Sequence, residues 1–188
     1  MMHEFIEFVY ELFPSIKSHT KDRVKASITQ FQKEGKQFNC FLYKPFDFLA
    51  QGDIIESLPF KIFKPDGNEY VMKTKGILLS NTCDAENDSF IAFSPLLPVK
   101  ELNVDKYALI NNLIYRFLYF PEPNFSEYVI DLTLIHSFPK NLVNSAIKDG
   151  RIKKLGSLND FGYYLFLCKL TVHFMRPEDC NVQNNRIN

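Results

Sequence analysis

The sequence has no tryptophan, no Cys-x-x-Cys pair, no surplus of either charge, and no apolar run approaching the roughly 18 residues of a membrane-crossing helix. The missing run argues against a helical membrane span. The opening Met-Met-His-Glu-Phe-Ile-Glu also lacks the basic, apolar and small-residue succession of a secretory signal, so the expected location is the cytoplasm. Four scattered cysteines, Cys40, Cys83, Cys168 and Cys180, fit free thiols in a reducing compartment better than a disulfide framework. Lys plus Arg number 22 and Asp plus Glu number 22, so no global field gathers a polyanion and any nucleic-acid contact must come from a local patch. There is no Gly-rich phosphate loop, no His-Glu-x-x-His and no Cys-rich zinc signature, which leaves nucleotide hydrolysis and zinc-protease chemistry without support. No cofactor is expected, and no internal repeat or low-complexity tract is present.

What is present is aromatic mass. Nineteen Phe and nine Tyr in 188 residues supply large, easily buried side chains that favour strands and dense cores, and the length suits one sizeable core with a small appendage. Residues 1 to 34 read as two helices: Phe5, Phe8, Val9 and Leu12 share one face, Val24, Ile28 and Phe31 another, and Pro14 separates them. Thr20 and Gly35 suit the start and stop of the second helix. From Asn39 to Phe63 a strand-like alternation surrounds the turn Gln51-Gly52-Asp53, and Lys64-Pro65-Asp66-Gly67-Asn68 then predicts a hairpin. Gly76–Ser80 and Ser89–Phe93 are short apolar strands joined by a polar connection, Asn81 to Asp88.

Tyr107, Ile110, Ile114 and Phe117 at helical spacing predict a helix within 103–116, and Tyr128 to Ile135 predicts a strand. A short helix over Asn141–Asp149 should stop at Gly150. Ser157-Leu158-Asn159-Asp160 should open a last helix with Phe161, Tyr164, Leu165, Cys168 and Val172 on one face. The tail from Pro177 is polar and expected to fray. This order gives an α+β fold around a mostly antiparallel sheet that curvature could close into a small barrel.

Three pieces in this order carry a resemblance: Gly52-Asp53-Ile54-Ile55, Gly76-Ile77-Leu78-Leu79-Ser80-Asn81, and Ile91-Ala92-Phe93-Ser94-Pro95-Leu96. Asp131-Leu132-Thr133-Leu134-Ile135-His136-Ser137-Phe138 and Lys154-Leu155-Gly156-Ser157-Leu158 extend it. The series resembles the MazF/PemK family of toxin endoribonucleases, within the superfamily that includes CcdB and Kid. The resemblance implies a small SH3-like antiparallel β-barrel over 46–176 with a C-terminal helix and an inserted helix. Residues 1–45 are then an N-terminal helical extension and 177–188 a polar tail. It also implies toxin–antitoxin or phage-defence biology, a homodimer, and a groove for single-stranded RNA or an antitoxin-like protein.

In that family an Arg before the apolar strand and a Thr after the Pro-Ile are tied to RNA cleavage. Counted from Ser80 and Pro95, those positions fall on Thr74 and Leu97. A threonine cannot present a guanidinium fork to a phosphorane and a leucine donates no hydrogen bond, so cleavage by the family route is not expected. An arginine brought beside these strands from elsewhere in the chain would reverse that expectation. Lys73 and Lys75 flank Thr74 and offer point charges, or else stand as solvated loop lysines. Lys73, Lys75 and Asp84 are the substitute catalytic candidates. Lys73, Thr74, Lys75, Asn81, Cys83, Asp84 and Leu97 make up the candidate binding set, with no metal site expected.

Cys83-Asp84 follows a strand end, where loops present functional groups. A thiolate beside His136 or His173 would serve as nucleophile or zinc ligand, while the plainer reading is a small buried Cys with Asp84 bonding turn amides. His173 and Arg176 suit a helix C-terminus. Lys148, Arg151, Lys153 and Lys154 form either a phosphate-contacting cluster or a solvated turn. The series Tyr115, Phe117, Tyr119, Phe120, Phe125 and Tyr128 reads as core or a dimer contact, with base stacking as the alternative. A docking role for the helices at 5–34 is the third functional class.

Overall fold

The computed structural model describes residues 22, 23, 25, 26, 29, 39–176 and 178–186. Of the expected N-terminal helices, Asp22, Arg23, Lys25, Ala26 and Thr29 are helical. Pro14, Thr20, Gly35 and the two apolar faces assigned there lie outside the described residues.

Gln51-Gly52 turns the chain into β1 (Ile54–Phe63), which pairs antiparallel with β2 (Glu69–Leu78) from Phe63↔Glu69 to Ile54↔Ile77. The turn between them is built as its residues require. Gly67 takes φ 85°, and the Asn68 amide donates to Asp66 Oδ1 at 2.9 Å. The register of β1 shifts between Ile55 and Leu58, where Ser57 adopts φ 59°; this bulge bends the strand. The connection after β2, expected as polar loop, is instead a short helix, α1 (Thr82–Asn87). Asn81 caps it by accepting from the Cys83 amide at 3.0 Å.

β3 (Phe90–Pro98) holds the sheet together. It pairs with β2 through Gly76↔Pro95, Ile77↔Ser94 and Leu78↔Phe93. It also pairs with β5 (Tyr128–Asp131) and β6 (His136–Pro139). The single strand expected over 128–135 is thus broken. The cause is Asp131, whose Oδ1 accepts from the Thr133 amide at 3.1 Å and the Thr133 hydroxyl at 2.7 Å and so turns the chain.

The expected inserted helix shrinks to α2 (Lys106–Ile110). It stops because Asn112 takes φ 56° and bonds both the amide and the carbonyl of Tyr119, at 2.7 and 2.9 Å. Tyr107 is therefore exposed, and Leu109 is the residue that α2 buries. β4 (Phe117–Leu118) borders β5. Next come α3 (Lys140–Lys148), β7 (Lys154–Gly156) and α4 (Asp160–Met175), which opens within the expected Ser157–Asp160 stretch and is capped by Asn159. The tail expected to fray forms α5 (Cys180–Asn185), capped by Asp179 and tied by Glu178 to Arg186.

Among the described residues the seven strands run β4-β5-β3-β2-β1-β7, with β6 also on β3. Every pairing is antiparallel. The sheet does not close, which corrects the expected barrel. Its outer strands β4 and β7 have two and three residues and do not meet. α4 packs into one of the cores built on the sheet. Leu165 and Phe166 pack with Ile54 and Ile77 of one half and with Leu118 and Ile130 of the other. Phe166 is fully buried, on the side opposite the stripe predicted for this helix. Burying such a ring is worth about 1.5–3 kcal/mol.

Cys40 and Phe41, assigned from sequence to the extension, lie in this same core. Phe41 bridges to Leu158 and lies 5.4 Å from the Phe120 ring and 4.7 Å from Phe125. Among the described residues no helix is long and apolar enough to cross a membrane, and all four cysteines are free thiols.

Candidate functional site

The β2–β3 ladder stops at Gly76↔Pro95, after which β3 leaves β2 for β5. Thr74 and Leu97 lie just beyond that fork, one on each strand, so the two positions singled out by the resemblance are indeed neighbours. The Thr74 hydroxyl donates to the Leu96 carbonyl at 2.7 Å and ties the strands where the backbone no longer does. Leu97 pairs with Val129 and packs against the cluster of Leu109, Phe117, Tyr119 and Val129. Neither side chain has a proton to offer a phosphate.

Lys75 extends over the Tyr128 ring, its ammonium 3.7 Å from the centroid. Lys73 is exposed opposite Pro59. Both are strand residues, not the solvated loop lysines considered from sequence. Further out on the hairpin, Lys61 lies 5.3 Å over Phe63 and Lys64 5.6 Å over Tyr70. Phe63 and Val71 are about two-thirds exposed, at 67% and 65%. Residues 61 to 75 carry Lys61, Lys64, Lys73 and Lys75 against Asp66 and Glu69, a local positive excess on a neutral chain.

Asn81, Cys83 and Asp84 do not join this group. They sit past the other end of the shared ladder, around the start of α1. Cys83 is exposed rather than buried, and the side chain that holds the turn amide is Asn81, not Asp84. Asp84 lies in the first turn of α1, where a carboxylate suits the helix dipole. His136 directs Nε2 to the Lys61 carbonyl at 2.8 Å, and His173 sits near the end of α4. Among the described residues no three His, Cys, Asp or Glu side chains gather as a metal ion would require. Of the aromatic series, Phe117, Tyr119, Phe120 and Phe125 are core, while Tyr115 is 46% exposed.

Two charged constellations escaped the sequence reading. Asp53 is completely buried and accepts from Lys154 Nζ at 2.6 Å, Ser157 Oγ at 2.6 Å and the Ala50 amide at 2.8 Å. Lys154 is therefore not part of a solvated turn. Its other protons go to the carbonyls of Phe46 and Phe48. The signal was in plain view, since Asp53 belongs to Gly-Asp-Ile-Ile, and Lys154 and Ser157 to Lys-Leu-Gly-Ser-Leu.

The second is Arg116, whose Nε and terminal nitrogen grip Asp131 at 2.9 and 2.5 Å. This arginine's charge is engaged by a carboxylate of β5 rather than presented at Thr74 of β2. Its own position leads into β4, at the far side of β5 and β3 from β2 in the sheet order. Its guanidinium is held at Asp131.

No protein-family model matches the sequence, and no curated protein matches it. Among solved structures, the chain is similar to one from a MazE–MazF crystal structure (Form-II) of Deinococcus radiodurans. The match covers 70% of this chain and 100% of that chain, at 11% identity and a TM-score of 0.40.

Proposed function

We propose that this chain is a divergent MazF/PemK-like protein of toxin–antitoxin or phage-defence type that binds single-stranded RNA without the family's cleavage chemistry. The observation that carries the reading is the fork between β2 and β3. There Thr74 spends its hydroxyl on Leu96 and Leu97 is packed among apolar side chains. The two positions tied to chemistry in the family thus hold a strand tie and a packing residue. Binding is supported by the hairpin beside them, where exposed rings alternate with lysines. Single-stranded RNA is held by just such stacking faces with cations tracking its backbone.

The test is incubation with a long single-stranded RNA, read by gel for products and by mobility shift for binding. RNA should stay intact and be bound. Lys73→Ala and Lys75→Ala should each weaken binding and lower the salt slope by about 0.7 for each phosphate no longer neutralised. Site-selective fragments that vanish in those variants would show an active endoribonuclease using substitute groups such as Lys73, Lys75 or Asp84. Absence of any shift would leave an antitoxin-like protein as the partner of this face.

A further inference from the structure

The segment around α2, which the resemblance assigns as an insertion, walls a cavity against β5. Past Pro98↔Tyr128 the Val99 amide donates to the Glu127 carbonyl at 2.9 Å, and the chain makes one 3-10 turn, Val99–Glu101, before α2. The space lined by this turn, α2 and residues 126–128 has a volume of about 550 Å³. Small-molecule sites span roughly 300–1,000 Å³. Among the lining side chains Val99 and the buried Leu109 are apolar and Tyr128 is aromatic.

Lys100, Glu101, Lys106 and Glu127 line the same cavity, and all four are exposed. Among the described residues none of the four forms an ion pair, although opposite charges share the space. Two carboxylates and two ammoniums thus keep their hydrogen bonds for water or a ligand. Tyr128 joins this cavity to the fork. Its ring carries the Lys75 ammonium at 3.7 Å, and it stands next to the Leu97↔Val129 pair. RNA held at Lys75 is therefore one side chain away from the cavity.

Single-stranded RNA is read through unstacked bases, on their Watson–Crick edges and beside aromatic rings. Guanine alone among the four bases sets two adjacent donors, N1–H and the N2 amino group, beside one acceptor, O6. The paired donors match the two oxygens of one carboxylate, and O6 suits an ammonium. We infer that this cavity takes one unstacked guanine, with a carboxylate of Glu101 or Glu127 on the two donors and Lys100 or Lys106 on O6. The inference rests on the RNA-binding reading for its ligand and adds a base preference to it.

Fluorescence anisotropy of the full chain should compare a labelled oligouridine with the same oligomer carrying one central guanine, adenine or cytosine. The guanine oligomer should bind about tenfold tighter than oligouridine, with adenine and cytosine gaining less. Replacing both acids, Glu101→Gln with Glu127→Gln, should abolish that advantage, and thermal melting confirms that the variant is folded. Acids that merely repel phosphates would, once removed, tighten every oligomer alike and leave the advantage standing; that result overturns the site. Equal binding of the guanine and uridine oligomers, or a larger gain from adenine or cytosine, overturns it as well. Lys73→Ala separates the two readings, since it should weaken all oligomers equally and keep the guanine advantage. If no oligomer binds, free guanosine against uridine in ligand-observed NMR decides. Guanosine binding that is lost in the double variant supports the cavity and sinks the RNA reading alone, whereas no binding of guanosine sinks both.

Discussion

Replacing Lys154 with methionine should destabilise the protein far more than a surface lysine can. In the fold Lys154 has a side chain only 12% exposed, and Asp53 opposite it is fully buried. The substitution keeps the stem's bulk but strands a carboxylate that retains two donors, Ser157 Oγ and the Ala50 amide, and no counter-charge. Breaking a buried pair from one side costs about 3–5 kcal/mol, against roughly 0–1 kcal/mol for an exposed pair. The Phe46 and Phe48 carbonyls lose their donor as well. For a chain of this length the cost corresponds to a fall in Tm of roughly 6–20 °C. Urea unfolding followed by far-UV circular dichroism measures it, provided the slope against urea is unchanged. Adding Asp53→Asn should recover at least half of the loss, because the uncompensated charge is then gone and the amide oxygen still accepts. A Lys154→Met protein within about 1 kcal/mol of wild type, or a double variant no better than the single, would refute the argument.

Other perturbations test other joints. A Cβ at Gly162 would stand 2.2 Å from the Cys40 carbonyl oxygen, backbone that cannot swing aside. Gly162→Ala should therefore cost about 1–3 kcal/mol or more in urea and speed amide exchange at Leu42, and wild-type behaviour in both would contradict this packing. Thr74→Ala removes the tie to Leu96 and should cost about 1 kcal/mol in the same assay, with no change if the fork is held by other means. Burial lowers the Lys169 amine from its ordinary 10.5 to about 8 in the fold. Between those values the unfolded chain holds the extra proton, so Lys169 makes stability rise with pH across that window, while below about 8 the cost of burying the charge is fully present. Burial of Cys168 pushes its thiol up to about 11, which acts in the opposite direction. The readout is therefore the difference between wild type and Lys169→Met from pH 7 to 10.5, and a flat difference would contradict the assignment.

Local signals in the sequence located most elements, and tertiary competition explains where they did not. The hairpin at Lys64–Asn68, the helix stopping at Gly150 and the opening of the last helix at Ser157–Asp160 follow from residues a few positions apart, and all three form. The helix predicted within 103–116 fails at Asn112, which bonds Tyr119 seven residues ahead, a partner no 3.6-residue period reveals. The strand expected over 128–135 fails for a different reason. Apolar runs do not register that Asp131 prefers to saturate itself with Thr133 and Arg116. Barrel closure was expected from sheet curvature and from the resemblance, but the outer strands β4 and β7 are short and do not meet, and α4 packs its apolar side chains into one of the cores instead.

The candidate site was legible in a narrower sense. Matching motif order pointed to Thr74 and Leu97, and the ladder from Gly76↔Pro95 to Leu78↔Phe93 brings those two positions side by side just beyond its end. Matching residue types could not show where displaced charge resides. Lys154 looked like one of four lysines and arginines in a solvated turn, yet its partner Asp53 is about a hundred residues away, inside the other end of the same motif series. Arg116 belonged to no motif at all. It matters because a carboxylate fifteen residues on is buried, saturated and unable to release it. A chain with zero net charge can in this way keep its basic groups apart, lysines along a hairpin among exposed rings and an arginine fixed by a buried acid.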